Sequence, residues 1–193
     1  MIDEDAFGIL LSYYEVEDDE YGSDEREEFV QRFEEFERLG LAAIAGLELP
    51  SDHYVLHLGH AIYAEFRDRE DTPQLFARFR AAAARLTQDG FANVAVLTHG
   101  SRWVRDDEPV GPRLTGAAPV VAHISRPSEP LRRSLYVAAL AQGDDTIDGW
   151  GAGVYADTEA LEALGKTPKN APTVLYAPGA EFYRIPPLRL ETP

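Results

Sequence analysis

Residues 53–104, HYVLHLGHAIYAEFRDREDTPQLFARFRAAAARLTQDGFANVAVLTHGSRWV, form the stretch that decides the fold. They divide into an apolar segment at Tyr54–Phe66, a helical pattern at Pro73–Asp89 and a second apolar segment at Phe91–Val104. Segments of strand, helix and strand type in this order predict a helix packed across a β-sheet.

The helical segment has consistent signals at both ends and along one face. Thr72 is predicted as the N-cap, because its hydroxyl can accept a backbone N–H, and Pro73 suits the first helical position. Gly90 is predicted to end the helix, since glycine readily adopts the left-handed conformation at C′. Apolar residues at three- and four-residue spacing form one stripe, which consists of Leu75, Phe76, Phe79, Ala82, Ala83 and Leu86.

The two flanking apolar segments are predicted as strands. In a strand, side chains two residues apart share a face, so Leu56 and Ile62 are expected on one face and Tyr63 and Glu65 on the other. Gly59 is either a bulge or a tight bend that splits this segment into a hairpin. After the helix, Ala92–Thr98 is predicted as a strand, and residues 99–101 as a turn into a short return segment at 102–105.

The region before this stretch is predicted to add one strand and one long helix. Ala6–Tyr14 is apolar and short enough for a buried strand. Asp24 with Glu27 three residues later matches a capping box in its Asp variant, and the helix that follows is predicted to continue past Gly40 to about Gly46. Its buried face is expected to consist of Phe29, Val30, Phe33, Phe36 and Leu39.

The region after the stretch contains shorter elements. A strand is predicted at Pro119–Ser125 and another at Ala152–Ala156, followed by a short helix capped by Asp157 or Thr158. The segment 128–142 permits helix or strand; helix is favoured, with Ser128 as N-cap and Leu131, Leu135, Ala138 and Ala139 on its apolar face. Segments at 173–177 and 181–185 flank Pro178-Gly179, which suits a type II turn and a C-terminal hairpin.

These elements predict an α+β fold for residues 1–193. The expected architecture is a single domain with a mixed β-sheet covered by two long amphipathic helices and a C-terminal β-hairpin. The 193 residues suit one domain, and the sequence has no internal repeat or linker.

Charge is the most unusual property of the composition. The formal net charge is −16, and residues 1–40 contain 15 Asp and Glu but only 3 Arg. Such a balance repels nucleic acid and anionic lipid, so neither is an expected partner, whereas a basic protein would be attracted. The chain has no cysteine, no apolar run long enough for a membrane helix and no secretory signal after Met1, so a cytoplasmic location is expected.

No motif in the sequence identifies a reaction. Residues 149–153, GWGAG, lack the G-x-x-x-x-G-K-[ST] pattern of phosphate-binding loops, and Ser101 has no G-x-S-x-G context. Residues 144–149, DDTIDG, resemble the start of a calcium loop, but Tyr155 stands where the bidentate Glu is required. His57 and His60 would face opposite sides of a strand. The sequence therefore predicts neither a metal site nor a cofactor.

The leading hypothesis is an acidic, non-enzymatic protein-binding module that neutralises a basic partner, as an inhibitor or immunity-type protein would. In character the chain is similar to bacterial immunity proteins and toxin inhibitors, which are also small, acidic and free of catalytic motifs. The partner-facing residues are predicted to be Glu17, Asp18, Asp19, Glu20, Glu27, Glu28, Glu34 and Glu35.

Two alternatives remain at the level of sequence. One is a small-molecule-binding protein or enzyme with a pocket near His57, His99, Arg102 and His123. The other is a structural subunit of a homo-oligomer.

Overall fold

The computed structural model describes residues 2–14, 23–51, 53–67, 70–104, 128–143, 151–166, 174–177 and 180–186. In chain order, its elements are β1 (Ile2–Tyr13), α1 (Ser23–Ala45), β2 (Tyr54–His57), β3 (Ala61–Arg67), α2 (Thr72–Gln88), β4 (Asn93–Val104), α3 (Glu129–Gly143), β5 (Gly153–Asp157), α4 (Thr158–Ala163), β6 (Val174–Ala177) and β7 (Ala180–Ile185).

The strands of these ranges form one mixed sheet of seven strands in the order β2-β3-β1-β4-β5-β7-β6. Its longest pairing is antiparallel between β1 and β4, with twelve consecutive partners from Ile2↔Val104 to Tyr13↔Asn93. The β4–β5 pair is parallel, and the other neighbouring pairs are antiparallel. One sheet carrying four helices confirms the predicted α+β class.

Helices cover both faces of the sheet. On one face, α1, α2 and α4 enclose a core that includes Phe7, Ile9 and Leu11 of β1. On the other face, α3 packs against β4 and β1, and Leu10 and Tyr63 belong to that second core. The two long helices predicted from sequence are therefore α1 and α2, and both lie on the same side.

Helix α1 continues through Gly40, as predicted, because this glycine is a packing position. An added Cβ on Gly40 would lie 2.7 Å from Cδ1 of Ile62 on β3, so the absent side chain lets the helix approach the sheet. Phe36 is buried, and Phe29, Phe33 and Leu39 pack at the edge of the core. The prediction was wrong for Val30, which is 50% exposed.

Helix α2 begins one residue earlier than predicted. Asp71, rather than Thr72, occupies the N-cap position, and its carbonyl accepts the N–H groups of Gln74 and Leu75. Gly90 has φ of +90° and ends the helix as predicted. The N–H of Gly90 bonds to Thr87 O and that of Phe91 to Leu86 O, which is the Schellman arrangement.

The segment 54–66 is a hairpin, because Gly59 makes a tight bend. Gly59 has a φ of +66°, and the N–H of Leu58 donates to the carbonyl of Ala61, which closes the turn. The bend interrupts the period of two along the chain. Leu56 therefore faces α3, whereas Ile62 faces α1 and α2, so the prediction that they share a face was wrong.

The predicted turn at residues 99–101 is absent, because β4 continues through all three residues. His99, Gly100 and Ser101 each have a partner on β1, so the long ladder keeps this segment extended. Gly100 serves close packing. A Cβ there would lie 3.0 Å from the carboxylate of Glu129, which crosses the strand at this point.

The later elements agree with the favoured predictions, except for the buried face of α3. Segment 128–142 is helical, and Ser128 Oγ accepts the N–H of Leu131 at 3.3 Å, as an N-cap does. Leu135 and Ala139 are exposed, while Val137 and Ala141 are buried beside Leu131 and Ala138. Asp157 caps α4 through the N–H of Ala160 at 2.7 Å.

The C-terminal strands pair antiparallel up to Ala177↔Ala180, which supports the predicted hairpin. The Pro178-Gly179 turn and the strand predicted at 119–125 lie outside the described residues. Within the described ranges, no helix combines the length and apolar character that crossing a membrane would require.

Truncation of Phe79 to Ala should test the core between α2 and the sheet. The Phe79 side chain is fully buried, so its removal should lower the free energy of unfolding by about 3–5 kcal/mol. The matched control is Val30→Ala, at an exposed apolar site, which should cost less than about 0.5 kcal/mol. Chemical denaturation measures both, and a loss under about 1 kcal/mol for Phe79→Ala would contradict the assigned core.

Candidate functional site

The acidic face of α1 is the part of the predicted partner surface that the structure describes. Glu27, Glu28 and Glu34 are exposed to solvent. Within the described residues these three carboxylates make no ion pair, in contrast to Glu35. The other predicted members of this surface, residues 17–20, lie outside the described residues.

Glu35 is held within the helix. Its carboxylate accepts hydrogen bonds from Nε and Nη2 of Arg38 at 2.8 and 2.6 Å, one turn further along α1. The hydrogen bond from Arg38 lowers the pKa of Glu35 below its ordinary value. Its charge is therefore already matched, and Glu35 contributes less than its neighbours to attraction of a partner.

Two exposed apolar side chains lie among these acids. Val30 is 50% exposed and Leu41 is 36% exposed. Seven residues make almost two helical turns, so Glu27, Glu34 and Leu41 follow one line along α1, and Val30 lies beside it. We call these four residues, together with the exposed Glu28 next to Glu27, the α1 ridge. It combines exposed carboxylates with apolar contact area.

The alternative pocket predicted from sequence is not assembled by the residues that the structure describes. His99 faces α1 and α2, with its ring centroid 4.6 Å from that of Phe7. Arg102 faces the opposite side, where it bonds to Glu4. His99 and Arg102 are three positions apart on one strand, so the period of two directs them to opposite faces.

The other two members of that pocket do not join them. His57 lies at the end of β2, and its Nδ1 is 2.9 Å from the carboxylate of Glu37 on α1. Strands β3 and β1 separate β2 from β4 in the sheet, so His57 is remote from His99. His123 lies outside the described residues.

A buried carboxylate on the α3 side was missed by the sequence analysis as a site. Glu65 has no exposed surface, and its Oε2 accepts a hydrogen bond from Tyr63 OH at 2.5 Å and another from Ser128 Oγ. Tyr54 packs beside Tyr63, with ring centroids 6.3 Å apart. The hydrogen bonds of Glu65 tie the N-terminus of α3 to strand β3.

Burial determines the protonation chemistry of this network. Desolvation raises the pKa of Glu65, against the effect of the hydroxyls and of Arg102, which favour the ionised form. Desolvation likewise raises the pKa of Tyr54 and of Tyr63, so both phenols remain donors. Gly8 leaves the space for this arrangement, since a Cβ there would lie 2.5 Å from Tyr63 OH.

Arg133 of α3 contacts four acceptors and connects several elements of the second half of the chain. Arg133 of α3 bonds to Glu129 at 2.5 Å, to Glu159 at 2.7 Å and to Asp157 at 3.2 Å. It also donates to the carbonyl of His99 at 2.9 Å. This single side chain therefore connects α3 with β4, β5 and α4.

The charges in this cluster stabilise one another against burial. Burial opposes the charge of Arg133, but its bonds to Glu159 and the charges of Asp157 and Glu129 raise its pKa overall. Burial raises the pKa of Asp157 to about 6, although the N–H groups of Ala160 and His99 favour its ionised form. The side chain of Asp157 is surrounded by donors from Arg133, His99 and Ala160, and the cluster is a structural tie.

A signal for these clusters was present in the sequence. Glu65 lies within an apolar strand and Asp157 ends one, and an acid in such a position is either exposed or paired in the interior. Sequence could not choose between these outcomes, because Ser128 and Arg133 lie far away along the chain. Among the described residues there is no group of three or more His, Asp or Glu that could hold a metal ion.

The comparisons with known proteins add no family: no family model matches the chain, and no curated protein matches it.

Substitution of Glu65 by Gln should reveal its raised pKa as a pH-dependent stability difference. A raised folded-state pKa stabilises the fold below the unfolded value of 4.5, and this contribution is lost as the pH rises through the folded-state pKa. Gln keeps an acceptor for both hydroxyls and does not ionise. The stability of Glu65→Gln relative to wild type should therefore increase from pH 4.5 to neutral pH, measured by urea unfolding. A constant or falling difference would contradict the assignment.

Removal of the Arg133 charge should be far more damaging than removal of one of its partners. Arg133→Met leaves the buried Asp157 without its cation, so a loss of about 3–5 kcal/mol in the free energy of unfolding is expected. Glu159 is 46% exposed, and Glu159→Gln should cost less than about 1 kcal/mol. Equal losses in the two variants, measured by denaturant titration, would show that the cluster is not organised by Arg133.

Proposed function

We propose that the protein is a non-enzymatic binding module that holds a basic protein partner through the α1 ridge, as an inhibitor or immunity-type protein does. The observation that carries this proposal is the exposure of Glu27, Glu28 and Glu34 on one long helix. Their charges face solvent, while the buried carboxylates Glu65 and Asp157 are engaged inside the fold.

The charge distribution supports association with a protein of opposite sign. Residues 1–40 contribute 15 acids against 3 arginines, so the negative field is concentrated in the part of the chain that contains α1. Complementary fields raise association rate constants to as much as about 10⁸–10⁹ M⁻¹s⁻¹ at low salt, and salt screens this gain.

The apolar residues of the α1 ridge supply contact area that a partner can bury. Exposed carboxylates mainly accelerate encounter, whereas burial of apolar surface slows dissociation. Val30 and Leu41 stand within the acidic face and can be covered by a partner that neutralises Glu27 and Glu34. Self-association through the same ridge would place like charges opposite one another, so a different, basic protein is the better occupant.

The test begins with capture of the partner from an extract of the native host on the immobilised full chain, followed by mass spectrometry. Binding kinetics are then measured with the purified partner at low and physiological ionic strength. The triple variant Glu27→Lys, Glu28→Lys, Glu34→Lys should slow association by about tenfold or more at low salt. Its thermal stability should be equal or higher, because self-repulsion falls.

A matched control separates a local surface from net charge. Asp5, Glu70 and Glu162 are exposed acids outside α1, and their reversal to Lys changes the net charge by the same amount. This control should retain more of the wild-type association rate. Val30→Ser with Leu41→Ser should instead speed dissociation. Equal association rates for the two triple variants would refute the α1 ridge as the binding surface.

A further inference from the structure

A second surface of opposite character lies between α2 and the adjoining ends of β5 and β7. There a cleft of about 530 Å³ is lined by apolar side chains that include Ala83, Ala84, Val154 and Ile185. This volume is within the range of pockets that enclose small organic ligands, about 300–1,000 Å³. The acidic residues of the α1 ridge do not line this cleft.

The charged residues on the cleft wall are basic. Arg80 and Arg184 line it, and none of the described lining residues is acidic, in a chain with 34 acids and 18 Lys and Arg. Arg184 donates from Nη2 to the carbonyl of Ala152 at 2.7 Å. Gly153 lets this guanidinium lie against the backbone, since a Cβ there would be 3.0 Å from Nε of Arg184.

Arg80 is half-buried at the cleft, and its guanidinium is only partly hydrogen-bonded within the described residues. Its Nη2 donates to the carbonyl of Pro186 at 2.8 Å, which holds the guanidinium at the cleft. Its Nε is buried and makes no hydrogen bond within the described part of the chain. Burial lowers the pKa of Arg80, so its charge is less well stabilised than in water. Because Nε is enclosed by protein, a ligand oxyanion in the cleft would act on the exposed part of this guanidinium, as a counter-charge.

A second cation lies near Arg80. Both approach the ring of Phe76, with Cζ of Arg80 5.9 Å and Nζ of Lys166 5.1 Å from its centroid. Burial and the charge of Arg80 lower the pKa of Lys166. The two positive charges therefore disfavour each other, and a bound anion would relieve this repulsion.

We propose that this cleft binds a small organic oxyanion, a carboxylate or phosphate carried on an apolar body. The oxyanion contacts Arg80 and Arg184, and the apolar body packs against Ala83, Ala84 and Val154. The planar guanidinium fork suits both carboxylate and phosphate oxygens. The site is independent of the proposed partner surface, so either proposal can fail without the other.

The test is titration of the ¹⁵N-labelled full chain with benzoate and with phenyl phosphate, followed by amide chemical shifts. Both probes should give saturable shifts at Ala84, Thr87, Gly153 and Val154, whereas neutral benzyl alcohol at the same concentrations should not. Tighter binding of phenyl phosphate would assign a phosphate-bearing ligand, and tighter binding of benzoate a carboxylate-bearing one. Either result supports the oxyanion site.

Variants locate the site. Arg80→Gln should weaken both aryl anions by about tenfold or more. Arg85→Gln makes the same charge change at an exposed position of the same helix and should leave both affinities unchanged. Ala84→Leu fills the cleft without altering any charge and should also weaken both probes, which keeps the test available if Arg80→Gln does not fold.

Three results would overturn the proposal. The first is the absence of saturable shifts with both aryl anions. The second is equal binding of benzyl alcohol, which would mean that the oxyanion is not recognised. The third is failure of the variants to locate the site, seen either as wild-type affinity in Ala84→Leu or as equal losses in the Arg80 and Arg85 variants.

Discussion

The ladder of twelve residue pairs between β1 and β4 is the constraint on which the rest of the structure depends. Because both strands are central in the sheet, each is covered by helices on both faces and paired along both edges. β3 adds to the free edge of β1, and β5 adds to that of β4. The ladder also keeps residues 99–101 extended. Every polar cluster described above on the α3 side is built against these two strands or their neighbours.

The two faces of the sheet are buried by different kinds of contact. The face toward α1, α2 and α4 is closed mainly by apolar packing, which includes Phe7, Phe36 and Phe79. The face toward α3 also holds carboxylates, which accept hydrogen bonds from hydroxyls or pair with an arginine. Such groups stabilise little relative to apolar packing, but each is costly when its partner is missing. We infer that they determine where α3 lies, because a displaced α3 would leave Glu65 and Asp157 unmatched.

The net charge alone does not describe this molecule, because acidic and basic side chains are concentrated on different surfaces. The α1 ridge presents carboxylates to solvent, whereas the cleft beside α2 is lined by arginines. The same residue types form closed ion pairs around Arg133 and Arg102, where the charges are satisfied within the chain. The exposed charges of the two proposed binding surfaces are therefore distinct from the buried charges of the structural clusters.

The sequence by itself determined the elements whose signals are local. The stripe from Leu75 to Leu86, the stop at Gly90 and the caps at Ser128 and Asp157 depend on residues within a few positions of one another. The acidity of α1 was equally readable. Only the tertiary structure decided the faces of the hairpin around Gly59, the straight course of β4 at Gly100 and the partners of Glu65 and Arg133. These depend on strand register and on side chains distant in sequence, where one residue of slip or one bend reverses a face. The basic cleft has the same origin, since α2, β5 and β7 meet only in the folded chain.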